Sequence, residues 1–329
     1  MNLKDKLQII VITYNRCKLF EKTLNTLLAP DSPVKDFNIL VLDNNSTDDT
    51  AIIVQEKQKN KDNLSYIKNK YNLGIGGNIA KALEVASMQY VWILADDDII
   101  DWSAWPFVEE AVEQGKEIIS ASRADYLIKE RGEHDIPTSL LHLTFVSSSI
   151  YKTSIITDTT MANIINNIYT LFPHLVPPIE HINKGGEIYI LPKSLVKNGM
   201  LPETDCSYIR GYESDTLYLK QRTMSWIVGY ANIISHIKDK KLRQAILQLP
   251  IHREIHKGWL NFYNAMYNWY WKYDNRLPVY ETAKQLNFLR KWLLYFYMVS
   301  PIKFYSTKNA INISIFGIIK TKILPKFKK

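Results

Sequence analysis

The chain has 329 residues, 46% hydrophobic and 22% charged, a globular composition with length enough for two domains. Two cysteines, Cys17 and Cys206, make neither a disulfide framework nor a zinc pattern, which favours a reducing compartment. The net charge of +8 is uneven: residues 237–329 hold 18 Lys+Arg against 4 Asp+Glu, while residues 1–236 hold 23 against 29. An acidic body argues against nucleic acid as the main ligand, and a basic remainder points to an anionic surface.

The first apolar run, Ile9 to Ile12, is too short for a signal-peptide core. No run approaches the roughly 18 apolar residues that a membrane-spanning helix needs. Leu7 to Thr13 is β-branched and apolar, the pattern of a buried strand, and it ends in Tyr14-Asn15-Arg16. Leu19, Leu24, Leu27 and Leu28 then recur at helical spacing. Phe37 to Leu42 reads as a second strand ending in Asp43-Asn44-Asn45-Ser46-Thr47-Asp48. Ser46 or Thr47 is placed to cap the next helix, with Asp48 and Asp49 in its first turn. Leu64 to Lys68 is a weaker third strand. The glycine-rich run Asn72-Leu73-Gly74-Ile75-Gly76-Gly77-Asn78 leads into a helical run, Ile79 to Ser87.

Val91-Trp92-Ile93-Leu94-Ala95 then runs straight into Asp96-Asp97-Asp98. In an open α/β sheet, ligands bind beyond the carboxyl ends of the strands. Three carboxylates there repel one another unless a cation lies between them, and hard oxygen ligands suit Mg²⁺ or Mn²⁺. The plainer alternative is a solvated turn capping the following helix. The glycines allow close backbone approach to an anionic ligand. They are no P-loop, since no Lys-Ser or Lys-Thr follows, and they lack the dinucleotide G-x-G-x-x-G spacing. Strand and helix alternate from residue 7 to 98, which predicts parallel β-α units.

Taken together, Thr13-Tyr14-Asn15-Arg16, Leu42 to Asp48, Asn72 to Asn78 and Asp96-Asp97-Asp98 resemble the family 2 glycosyltransferases of GT-A fold. The match is close over about residues 7–100 and looser to about 200. The triple Asp with the later Phe145-Val146-Ser147-Ser148-Ser149-Ile150-Tyr151 is similar to the abequosyltransferase-like enzymes of bacterial surface polysaccharides. The resemblance implies a Rossmann-like, mostly parallel sheet flanked by helices. It implies Thr13, Tyr14, Asn15 and Arg16 beside the nucleotide base and phosphates, and Asp43 and Asn45 around the base. Asn72, Gly74, Gly77 and Asn78 would shape the donor pocket. Asp96 would lie towards the ribose, Asp96 and Asp98 would hold Mn²⁺ or Mg²⁺, and Asp97 would join the catalytic set. The implied reaction is single displacement with inversion, from a nucleoside-diphosphate-sugar to a hydroxyl of a glycan or lipid-linked glycan.

Further on, Asp101 to Gly115 reads as a helix with apolar anchors, Ile118 to Ser122 and Tyr126 to Ile128 as short strands, and Lys129 to Pro137 as a polar turn. Phe145 to Tyr151 is expected as a strand beside the metal site, and Gly186 to Leu195 as another. Where the family usually carries an acidic base, this chain has Pro173-His174, followed by Glu180-His181. His174 is the expected base, since its ordinary pKa lies near neutrality. A structural histidine is the alternative, with Glu180, or Glu213 and Asp215, as fallback carboxylates.

From Ile237 the pattern turns helical and aromatic, with Trp259, Phe262, Tyr263, Tyr267, Trp269, Tyr270 and Trp271 in one segment and five lysines from Lys320 to Lys329. Basic residues beside Trp and Tyr suit a membrane's headgroup level. The expected organisation is therefore a nucleotide-sugar-binding half (1–100), an acceptor-binding half (101–236) and a basic helical C-terminal region (237–329) on the inner face of the cell membrane, in a cytoplasmic protein. A sugar nucleotidyltransferase would need a glycine-rich loop directly after the first strand, which Thr13-Tyr14-Asn15-Arg16 is not. A non-catalytic basic membrane-binding module would have no use for the Asp cluster.

Overall fold

The computed structural model describes residues 2–121, 136–197, 199 and 226–246, with 292, 295–296, 302–306, 310–315 and 319–325. They belong to two compact units, Met1–Arg222 and Thr223–Lys329.

In the first unit, β1 (Leu7–Thr13) pairs in parallel with β2 (Asn38–Asp43) and β4 (Tyr90–Ala95), and β2 pairs in parallel with β3 (Leu64–Lys68). The crossovers carry α1 (Cys17–Leu28), α2 (Thr50–Gln58) and α3 (Gly74–Glu84). A two-residue strand, β5 (Ile99–Ile100), precedes α4 (Trp105–Glu113) and β6 (Ile118–Ser120). Then come α5 (Ile136–Leu143), β7 (Ser149–Lys152), α6 (Asp158–Asn166), α7 (Val176–Asn183), β8 (Tyr189–Ile190) and β9 (Val196–Lys197). The seven-stranded sheet runs β3-β2-β1-β4-β7-β6-β8, with β7 antiparallel to both of its neighbours.

All seven residues of β1 are buried, as a strand covered on both faces requires. Leu7, Ile9 and Val11 join the core formed with Phe20, Leu24 and Leu27 of α1 and Val108 and Val112 of α4. Ile10 and Ile12 are buried as well, and α3 packs against β1 and β4. Each such side chain withdrawn from water contributes about 1.5–3 kcal/mol. The register sets Thr13 opposite Asp43 and Ile12 opposite Ala95. The polar ends of these strands therefore emerge side by side, at the edge where doubly wound sheets bind ligands.

Several local expectations change. Helix α3 starts at Gly74, not Ile79, and stops at Glu84. Its glycine run is the first turn of the helix, opened by a left-handed Gly74 at φ 71. Neither Ser46 nor Thr47 caps α2; Asp49 holds that position without a side-chain cap. Phe145 to Tyr151 begins as a 3-10 turn, Val146–Ser148, and only then becomes β7. Gly186 to Leu195 contains only the two-residue β8. Tyr126 to Ile128 lies outside the described residues, as does most of Lys129 to Pro137.

In the second unit, helix α8 (Trp226–Ile234) is followed by an antiparallel three-stranded meander of β10 (Ile302–Ser306), β11 (Ala310–Ile315) and β12 (Ile319–Pro325). The C-terminal region is thus not purely helical. Ile311, Ile313 and Ile315 alternate with Asn312 and Ser314, the two-residue period of a strand. No helix among the described residues is long and apolar enough to cross a membrane.

Candidate active site

The site grows from four strand ends. At the end of β1, Thr13 Oγ1 donates to Asp96 Oδ2 at 2.6 Å. Arg16 reaches over the same carboxylates: Nη1 donates to Asp97 Oδ2 at 2.8 Å and Nη2 lies against Asp96 Oδ1. The Thr23 hydroxyl bonds the Asp96 carbonyl at 2.9 Å. Asp96 is fully buried; its carboxyl is pushed up to about 6 by burial, with Arg16 opposing the rise.

Between β1 and β2, Asn15 and Asn45 both adopt left-handed backbone, φ 49 and 70, which asparagine tolerates better than most residues. Asn15 N donates to Ser46 Oγ at 2.9 Å, and Thr47 N donates to Asn15 Oδ1 at 2.8 Å. Ser46 therefore stitches two strand ends together. Asp43 is buried, accepting from Ser46 N at 2.7 Å and from the Tyr66 hydroxyl at 2.6 Å. Burial and the Asp43 carboxylate push the Tyr66 hydroxyl well up.

Asparagines connect the next layer. Asn44 Nδ2 donates to Asn72 Oδ1 at 2.8 Å, and Asn44 Oδ1 accepts from Leu73 N at 2.9 Å. Asn72 Oδ1 also accepts from Gly74 N at 2.8 Å, which serves the first amide of α3. Asn69 Nδ2 bridges Asn44 Oδ1 at 3.1 Å and Asn78 Oδ1 at 2.9 Å. A Cβ on Gly76 would overlap the Ile168 carbonyl oxygen, whereas one on Gly77 would stand 2.7 Å from Leu73 Cβ.

Asp98 stands apart from this network. It is 2% exposed, and Ser147 Oγ donates to its Oδ2 at 2.6 Å. Gly199 N lies 3.5 Å from its Oδ1. Burial, then the neighbouring Asp97, pushes its carboxyl up to about 7. No ion pair to Asp98 occurs among the described residues, and no group of three His, Cys, Asp or Glu there could by itself hold a metal. A buried carboxylate flanked by two more and matched by no cation fits a hard divalent ion whose other positions go to phosphate oxygens and water. Asp96 fits less well, because Thr13 and Arg16 already satisfy it.

The strand ends thus bring together Thr13, Arg16, Asp96 and Asp97, and beside them Asp43, Asn44, Asn72, Gly74 and Asn78. His174 belongs to neither group. It is 1% exposed, its Nε2 lies 2.9 Å from the Leu143 carbonyl, and its Nδ1 has no hydrogen-bond partner among the described residues. A carbonyl only accepts, so Nε2 carries a proton, and burial keeps the ring neutral. Burial holds it down to about 4, which makes it a weak base. Glu180 is held by Thr160 Oγ1 at 2.6 Å and Asn163 Nδ2 at 2.7 Å. Glu213 and Asp215 lie outside the described residues. Sequence reading missed Tyr66, Asn69, Gly76 and Ser147 as site residues. Tyr66, Gly76 and Ser147 lay in stretches already noticed and Asn69 in none, but strand patterns do not show which side chains meet across a sheet.

A parallel sheet edged by carboxylates and asparagines is the frame of an α/β protein that binds its ligand at the strand ends. The model of glycosyl transferase family 2 matches residues 8–174, just over half of the chain, and the protein belongs to that family. It is 43% identical over 94 residues to the Campylobacter jejuni GalNAc(5)-diNAcBac-PP-undecaprenol beta-1,3-glucosyltransferase, covering 28% of this chain and 30% of that one. It is 26% identical over 126 residues to abequosyltransferase RfbV of Salmonella typhimurium, covering 37% and 38%. The matched part thus spans about a third of each of these relatives. The crystal structure of S. aureus TarS 1-349 in complex with UDP aligns over 94% of this chain and 96% of that one, with 19% identity and a TM-score of 0.48.

Proposed function

We propose that the protein is a metal-dependent inverting glycosyltransferase. It moves a sugar from a nucleoside-diphosphate donor to a hydroxyl of a glycan or lipid-linked glycan, in bacterial surface polysaccharide synthesis. The observation that carries this reading is Asp98: buried, with no ion pair among the described residues, and at the same sheet edge as Asp43 and the asparagine network. The relatives' names, one a glucosyltransferase on an undecaprenol-linked glycan and one an abequosyltransferase, support the substrate class.

In this reading Asp98 holds Mn²⁺ or Mg²⁺, which offsets negative charge on the leaving diphosphate. Asp43 keeps Tyr66 and Ser46 and has lone pairs left for a ring N–H of the base. Thr13, Tyr14, Asn15 and Arg16 line the phosphates, with Asp96 towards the ribose. Asn45, Asn72, Gly74, Gly77 and Asn78 shape the floor. A carboxylate takes the acceptor proton rather than the buried, neutral His174: the half-buried Asp97, or one of Glu213 and Asp215. The test is hydrolysis and transfer with UDP-, GDP-, CDP- and dTDP-sugars, with Mn²⁺, Mg²⁺ or chelator. One donor consumed only with a cation is the expected result; equal turnover with chelator would end the metal reading.

The basic region supports a membrane-surface partner on the cytoplasmic side. Trp292, Tyr295 and Phe296 are 46%, 58% and 62% exposed, and their rings meet edge-on or tilted with centroids 5.9–6.2 Å apart. Exposed aromatics in a segment of net charge +14 suit an anionic bilayer interface. The full chain should sediment with anionic vesicles at low salt and release in part at about 1 M salt, where the Debye length falls to about 3 Å. Failure to bind at low salt would leave the region a packed subdomain.

A further inference from the structure

We infer that Ser147 is a positioning residue for the metal carboxylate: its hydroxyl, fixed by β4 itself, holds Asp98 towards the cation. This rests on the reading of Asp98 as the metal ligand. The geometry leaves the hydroxyl little choice. Ser147 Oγ accepts from Ala95 N at 2.8 Å, so one lone pair is spoken for by the last residue of β4. Its single proton then goes to Asp98 Oδ2, 2.6 Å away. The Ser147 carbonyl in turn accepts from the Trp92 indole at 2.8 Å, and both residues are fully buried. One residue thus takes two bonds from β4 and gives one to the carboxylate three positions past its end.

The anchor is itself braced. The Ser148 hydroxyl bonds the carbonyls of His142 at 2.6 Å and Phe145 at 2.7 Å, so the turn carrying Ser147 is tied to the end of α5. His174 bonds the next carbonyl, that of Leu143. Asp98 needs such a holder because Asp96 and Asp97 are paired with Arg16 and it is not. A donor hydrogen bond favours the ionised carboxylate, the only form that binds a cation. Oδ2 is engaged by Ser147 at 2.6 Å and Oδ1 only by the Gly199 amide at 3.5 Å, so Oδ1 is the more open oxygen for the metal.

Residues that orient a metal ligand typically carry about 10–100-fold in metal affinity. The test is titration of the full chain with Mn²⁺ alone, read by electron paramagnetic resonance, in wild type, Ser147→Ala, Ser147→Cys and Asp98→Asn. A second readout is a double-mutant cycle between Ser147→Ala and Asp98→Ala, each of which removes the hydrogen bond, on urea unfolding of metal-free protein. Expected are loss of Mn²⁺ binding in Asp98→Asn, about 10–100-fold weakening in Ser147→Ala, a smaller loss in Ser147→Cys, and non-additive stability changes. Should Ser147→Ala not fold, Ser147→Cys carries the same comparison. Wild-type Mn²⁺ affinity in a folded Ser147 variant, with binding lost in Asp98→Asn, overturns the role of Ser147 and leaves Asp98 as ligand. Wild-type affinity in Asp98→Asn overturns the ligand reading, and the positioning role with it. Additive stability changes also overturn it, since they deny the contact.

Discussion

The two halves of the first unit are held together differently. In residues 7–98, strand ends are bonded side chain to side chain: Thr13 to Asp96, Arg16 to Asp97, Tyr66 to Asp43, Asn44 to Asn72. In residues 136–183 Thr160 and Asn163 hold the Glu180 side chain, and two further long-range bonds run from side chain to backbone: Tyr151 to the His174 carbonyl, His174 to the Leu143 carbonyl. A mesh of side chains presents many polar groups to a ligand while keeping each in place. Bonds to backbone present nothing and serve shape. The first half therefore reads as the binding surface and the second as its scaffold, with Ser147 the point where the scaffold touches the chemistry.

That contrast breaks first at Asp98. Asp98→Asn keeps the shape and removes the charge, and turnover should fall by about 10²–10³-fold, as when a developing charge loses its stabilising partner. Steady-state transfer assays check it, with circular dichroism confirming the fold; activity near wild type would move the chemistry away from this edge.

Gly76→Ala should act on the seam between the halves. Its methyl would meet the Ile168 carbonyl, a backbone group that cannot step aside, at an expected cost of about 1–3 kcal/mol. Gly77→Ala meets Leu73 Cβ at 2.7 Å, a smaller overlap with a neighbour one turn away, and should cost less. Thermal melts of the two variants decide it; equal losses would mean that the seam yields.

Acid and base sharpen the contrast in opposite directions. His174 is held near 4 against an ordinary 6.5, so as pH falls the unfolded chain takes up a proton first. The stability from its neutral ring is complete above about 6.5 and is lost towards 4. Asp96 and Asp98 are raised to about 6 and 7 from 3.8, so the native state keeps protons that the unfolded chain releases. Metal-free stability from this pair is greatest below about 4 and falls as pH rises to 7. Urea midpoints across pH 4–8 should lose the acid arm in His174→Asn and part of the upper arm in Asp98→Asn. A His174→Asn curve parallel to wild type would contradict the burial of that ring.

The smallest effect is expected at Tyr66. Tyr66→Phe removes one hydrogen bond to Asp43, about 1 kcal/mol, and should raise the donor KM with little change in kcat. An unchanged KM would detach Asp43 from base recognition.

The alternation of apolar runs with helical spacing placed β1 to β4 within a residue or so, because a strand buried on both faces must be apolar throughout. The same pattern set Asp43 and Asp96 to Asp98 at strand ends, since burial stops where charge begins. What the one-dimensional pattern lacked was the partner of each polar group. Asp96 and Asp98 are identical in type and two residues apart, yet one faces Arg16 and the other Ser147. Three glycines within four residues look alike until Ile168 arrives against one of them. His174 reads as a base because its ordinary pKa is near neutral, yet its Nε2–H is spent on the Leu143 carbonyl and the surrounding core keeps water from the ring. Local sequence determined where chain direction and polarity change. Only tertiary packing decided which charges are matched, because matching joins residues up to about eighty positions apart and depends on burial that no neighbour in sequence reports.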